Sequence, residues 1–144
     1  MEGLIGVATV EKNGLQKANT ALGLTGKMGK YKVGVVEKGL ISCTFIVSIN
    51  NTYSPVCGTY LIQLISPPGD NTEVKLRHKI LMPSDDTISF HARIYNEQVE
   101  LYVDAKANFC MRLLLSTSSG MKFTYDIKSI ENIPEDCIAS SEIQ

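Results

Sequence analysis

The residues whose types and spacing invite chemistry gather in two adjacent segments, ISFHARIY and QVELYVDA. Side chains two apart on an extended strand share a face. His91, Arg93 and Tyr95 are therefore placed together, with Tyr102 on the following strand. Aromatic planes stack on the apolar faces of sugar rings, and charged groups hydrogen-bond their hydroxyls. The patch reads as a sugar site or, equally, as the solvated side of a sheet. His78, the other histidine, falls in EVKLRHKI on the face of Val74, Leu76 and Ile80. A hydrogen-bonded imidazole in a core or an interface is expected there, because no second ligand sits at metal-binding spacing.

Other reactive groups form no constellation. Cys43, Cys57, Cys110 and Cys137 include no close-spaced pair. Cys43 and Cys110 lie among apolar neighbours, where a free thiol behaves as a small hydrophobe. Reduced cysteines are expected, with Cys57 and Cys137 the pair if one disulfide forms. Asp85-Asp86 follows Pro83-Ser84 and reads as a turn. Glycosidic chemistry needs two carboxyls held across a cleft, and no pair can be assigned from the sequence. Nucleophile elbow, phosphate loop and dinucleotide fingerprint are all missing from the sequence. No catalytic residue, metal or cofactor is expected.

The elements that must carry these residues are strands. The chain has 144 residues, enough for one domain with a sizeable core, and a formal net charge of -1. That balance offers no electrostatic reason to expect nucleic acid, and no apolar run suits membrane insertion. The N-terminus lacks a secretory signal pattern. From Tyr31 onward the dominant period is two. Turn residues cut the pattern at Asn50-Asn51, Pro67-Pro68-Gly69-Asp70, Pro83-Ser84-Asp85-Asp86, Asn96-Glu97 and STSSG. Strands are expected at about 31–37, 41–50, 58–66, 72–81, 87–95, 98–104, 109–116 and 121–128. About eight such strands suit an all-β fold, a jelly-roll-like antiparallel β-sandwich. It would span 31–130, between an N-terminal neck at 1–30 and a polar C-terminal tail at 131–144. In that tail a docking strand precedes a frayed end.

One hairpin can be read in register around Asn96-Glu97. Tyr95 faces Gln98, Ile94 faces Val99, Arg93 faces Glu100, Ala92 faces Leu101, His91 faces Tyr102 and Phe90 faces Val103. Apolar residues pair with apolar ones, and a one-residue slip would bury Arg93. Asn-Glu is not the best two-residue turn, which leaves a longer loop open. Other strands are apolar on both faces. Phe45 and Val47 oppose Ile46; Leu61 and Ile65 oppose Tyr60, Ile62 and Leu64. With no helix to cover a second face, a homo-oligomer is expected, burying Ile46, Ile62 and Leu64 between copies.

The front segment GVATVEKNGLQKAN resembles a short element of bacteriophage tail fibres and related receptor-binding proteins. Ala8-Thr9, Lys12 and Gly14-Leu15 stand at matching spacing, followed by Ala18 and Leu22. Gln16 replaces the usual Met, and Asn19-Thr20 the usual Asp-Lys. KYKVGVV and ISFHARIYNEQVELYVDA are similar to the opening strand and a late hairpin of the family's C-terminal domain. The resemblance implies a homotrimeric fibre tip on the virion, assembled in the bacterial cytoplasm, that binds a bacterial surface glycan or protein. Receptor contacts in this family usually lie on loops. The first candidates are therefore Asn51 and Tyr53 in the Asn50–Pro55 loop, the Pro67–Asn71 loop and the polar hairpin face. A monomeric carbohydrate-binding or adhesin sandwich is the alternative, and a hydrolase with an uncharted site the third.

Overall fold

Alternating apolar and polar residues become strands that bury one face each. The structure, a computed structural model, describes residues 22–25, 28–39, 41–50, 58–66, 73–83, 88–106, 110–119 and 123–143. Its strands are β1 (Leu22–Thr25), β2 (Gly29–Glu37), β3 (Ile41–Asn50), β4 (Gly58–Ser66), β5 (Lys75–Met82) and β6 (Ile88–Tyr95). They continue with β7 (Gln98–Ala105), β8 (Cys110–Ser119), β9 (Thr124–Ile130), β10 (Ile138–Ala139) and β11 (Ser141–Glu142). Each of the eight strands expected from the sequence is present within a few residues of its predicted ends.

The first sheet has the order β1-β8-β3-β4-β5-β11 and the second β10-β6-β7-β2-β9. All pairings are antiparallel except that of β11 with β5. The sheets pack face to face as a β-sandwich. Cys43, Phe45, Val47, Ile62 and Leu64 of the first sheet meet Val36, Ala92, Val99, Leu101 and Val103 of the second in one buried cluster. Aromatic edges cross the gap: the Tyr60 and Phe90 rings lie 5.8 Å apart, and those of Phe45 and Phe123 5.0 Å apart. Such edge-to-face pairs add to the apolar area that drives the sheets together. The connections β3–β4, β4–β5 and β6–β7 stay inside one sheet. The double Greek key of a jelly roll finds no support in this order.

The β6–β7 register matches the expected one at all six pairs from Tyr95↔Gln98 to Phe90↔Val103. The turn has two residues, with φ of 55° at Asn96 and 62° at Glu97. That is the left-handed pair of a type I′ turn, whose twist suits a hairpin. Glutamate pays a steric cost at positive φ that glycine avoids. Glu97→Gly is expected to raise stability by about 1 kcal/mol, read as a few degrees in the thermal midpoint.

Irregularities in pairing reset the in-and-out phase. The register of β2 shifts between Lys32 and Gly34 against both β7 and β9. Val33 and Gly34 are consequently both buried. A bulge of this kind lets one strand present two successive residues to the core. Glycine is required at the second: a β-carbon at 34 would lie 2.8 Å and 2.9 Å from the Phe123 ring and would also strike the Thr124 carbonyl.

One expectation is corrected. Ile62 and Leu64 do not wait for a sister subunit; both are fully buried by the chain's own second sheet. The second apolar row is Ile46, Leu61 and Ile65, each half-buried on the outer side. The docking strand expected in the tail is present as two short strands. β10 pairs with β6 and β11 with β5, so one segment clasps the matching edges of both sheets. Ser140 N–H donates to the Phe90 carbonyl (3.0 Å) and Ile143 N–H to the His78 carbonyl (2.8 Å). Within the span 1–30 read as a neck, β1 is the edge strand beside β8, and Gly29 and Lys30 already pair with β7. Residues 1–21 lie outside the described residues.

Candidate functional site

The outward side chains of β6, β7 and β2 meet around one carboxylate. Cross-strand pairing sets Arg93 opposite Glu100, and β2 pairs Lys32 with Tyr102 and Val35 with Glu100. Arg93 Nε donates to Glu100 Oε1 at 2.7 Å, and Tyr102 O–H donates to the same oxygen at 2.6 Å. Lys32 Nζ takes Oε2 at 2.9 Å. Glu100 is only 4% exposed. A buried charge persists only when paired and hydrogen-bonded, and here both carboxylate oxygens are occupied. Asp136, carried in by the C-terminal clasp, binds Arg93 Nη1 at 2.9 Å. The guanidinium stacks 4.2 Å from the Tyr95 centroid and lies 5.9 Å from that of Tyr102.

The electrostatics follow this geometry. Burial pushes the Glu100 carboxyl upward, but hydrogen bonds from Tyr102, Lys32 and Arg93 more than offset it, leaving it below its ordinary value. Burial and the neighbouring Glu100 raise the Tyr102 phenol. Desolvation opposes the Arg93 charge, yet bonds to Glu100 and Asp136 hold it above its ordinary value. The cluster therefore presents neither a free base nor an activated nucleophile. What it offers a ligand is the Tyr95 ring, 54% exposed, with one face already carrying Arg93. Beside it runs a cleft of about 530 Å³ lined by Glu73, Val74, Arg93, Ile94, Asp136 and Ile138.

Of the residues singled out from the sequence, Arg93, Tyr95 and Tyr102 come together. His91 lies directly opposite Tyr102 in the hairpin, and its Nε2 lies 3.0 Å from Ser89 Oγ. Desolvation lowers its pKa, with Asp104 raising it and Lys106 lowering it further. Asn51 and Tyr53 lie outside the described residues, as do the loop Pro67–Asn71 and Cys57. Cys43 and Cys137 are free thiols. Burial pushes Cys137 up to about 11, far from thiolate chemistry at neutral pH. His78 is hydrogen-bonded, as expected, its Nδ1 2.7 Å from Ser140 Oγ on the clasp. Ser140→Ala strips that partner from a half-buried ring and is expected to cost about 1 kcal/mol in chemical denaturation, loosening the clasp first.

Sequence reasoning missed three members of the cluster's inner ring. Glu100 was legible as a cross-strand partner of Arg93, but not as a buried hub. Lys32 needed the long-range pairing of β2 with β7, and Asp136 needed the docking of the clasp. Among the described residues, no group of three histidines, cysteines or acids gathers to hold a metal ion. No helix there is long and apolar enough to cross a membrane. Comparison with protein-family models, curated proteins and solved structures finds no match to this chain.

Proposed function

We propose that the chain is a binding and structural module: the homotrimeric tip domain of a phage or phage-like tail fibre, attaching the virion to a bacterial surface glycan or protein. One observation carries the self-association at its heart. The outward positions of β3 and β4 are Ser42, Thr44, Ile46 and Ser48, then Thr59, Leu61, Gln63 and Ile65, and none is charged. Charges reappear at the rim, on β5. The second sheet's outer face, by contrast, carries Lys32, Glu100 and Arg93. Interfaces deplete charge at their centre and keep it at the edge. The resemblance of residues 6–19 to fibre elements supplies the biological setting.

A monomeric carbohydrate-binding sandwich is the second reading. It is favoured by Ile62 and Leu64 being covered within one chain and by the exposed Tyr95 platform. Mass in solution separates the two. Light scattering is expected to give three times the 15.8 kDa of one chain. Leu61→Glu, which sets a charge at the centre of the face, is expected to reduce it to one. A wild-type monomer at micromolar concentration defeats the trimer, and adsorption to host cells tests attachment separately.

A further inference from the structure

The alternation of β5 aims Leu76 at the core and sends Lys75, Arg77 and Lys79 to solvent on the outer side of the first sheet. Successive members of such a row stand about 6.8 Å apart. Lys75 and Lys79 make no ion pair among the described residues. The central cation is tethered: Arg77 Nη2 donates to Gln63 Oε1 on β4, opposite it in register. That contact orients the guanidinium fork while leaving its remaining donors for a ligand. β5 pairs Lys75 with Ile65 and Lys79 with Leu61, so apolar side chains flank the row. The chain as a whole carries a net charge of -1, so the row is a local feature rather than a general basic character.

We propose that this row is a docking site for a linear polyanion of the bacterial surface, specifically a polymer whose repeating anion is a phosphodiester. The inference rests on the attachment reading above and gives it a receptor chemistry. A phosphodiester repeated along a chain of short linkers presents single anions at intervals comparable to the row. The arginine fork matches phosphate geometry, and the lysines serve the flanking anions as point charges. Single-stranded nucleic acid is the other phosphodiester chain, but its binders supply aromatic planes for the bases. Among the described residues the exposed aromatic ring, Tyr95, lies on the opposite sheet. The row sits at the rim of the proposed self-association face, so a trimer would present three copies and gain avidity.

The test is titration calorimetry of the full chain with purified poly(glycerol phosphate), at low and at physiological salt. Binding is expected at low salt and is expected to weaken as salt screens the charges. Arg77→Gln should lose about tenfold in affinity, and Lys75→Gln/Arg77→Gln/Lys79→Gln about a hundredfold. A control of equal charge change, Lys30→Gln/Lys106→Gln/Lys128→Gln, should bind as the wild type does, with thermal melts confirming that both triple variants fold. Absence of binding at low salt, equal losses in the control, or tighter binding of single-stranded DNA would each overturn the proposal. In the first case the row would be a solvated strip of charge near the rim of the sheet. Polymer binding with monomeric mass and no adsorption to cells would sink the fibre reading and leave this site standing. Trimeric, cell-adsorbing protein without polymer binding would do the reverse.

Discussion

Gly34→Ala is expected to leave little folded protein. The added methyl group would strike the Phe123 ring at 2.8 Å and the Thr124 carbonyl, which belongs to the backbone of β9 and cannot rotate away. Relief requires β9 to move off β2, which opens the packing of Phe123 against Phe45 and Tyr125. Overpacking of this kind costs about 3 kcal/mol or more, a large share of a domain's whole stability. The thermal midpoint should fall by roughly 10 °C, or the protein should collect in the insoluble fraction. Phe123→Leu in the same background should not rescue it, because the carbonyl clash persists. A Gly34→Ala variant with an unchanged midpoint would show that β2 and β9 are not held at this distance.

Replacing the carboxylate hub is expected to have the second largest effect. Glu100→Gln keeps the shape but removes the charge that Lys32 and Arg93 enclose, and should cost about 2 kcal/mol. Glu100→Ala also empties the space and should cost about 3 kcal/mol. Breaking a buried pair from one side is expensive because the remaining charges lose their counter-ion. Removing Asp136, at the exposed end of Arg93, should cost much less, since an exposed ion pair contributes little.

The pH dependence follows from the depressed Glu100 pKa. A carboxyl held lower in the folded chain than in the unfolded one contributes its stability above the unfolded value of about 4.3. That contribution is lost as pH falls through the folded value. The stability gap between wild type and Glu100→Gln should therefore be constant near neutrality and narrow below about pH 4. Chemical denaturation of both proteins from pH 7 to pH 3 measures it, and other carboxyls cancel in the difference. A gap that stays constant down to pH 3 would show that Glu100 is not the charged hub. His91 acts in the same direction at higher pH. Its pKa is lowered in the folded chain, so its contribution is present above about 6.5 and is lost as pH falls through the folded value.

Much of this architecture was legible because strand patterning is local. Period-two alternation depends on residues a few positions apart, so the eight main strands and the β6–β7 register could be read without knowing what packs on what. The same locality limited the reading of faces. Phe45 and Val47 against Ile46, or Ile62 and Leu64 against Leu61 and Ile65, look equally apolar along the chain. Which row turns inward was decided by the second sheet, whose Leu101 and Val103 bury Ile62 and Leu64 in the same molecule.

The site divides along the same line. Arg93, Tyr95 and Tyr102 were recognisable as one patch because a hairpin brings near neighbours in sequence together. Lys32 and Asp136 arrive from distant segments, through the β2–β7 pairing and the C-terminal clasp. No local pattern announces a contact whose partners are separated by most of the chain. Composition and alternation alone thus determined an all-β chain with short strands and a specified hairpin. Sheet order, the bulge that admits only Gly34, the burial of Glu100 and the clasp across both edges were decided by tertiary packing. The reason is that burial is a property of two surfaces meeting, and a strand's sequence describes only one of them.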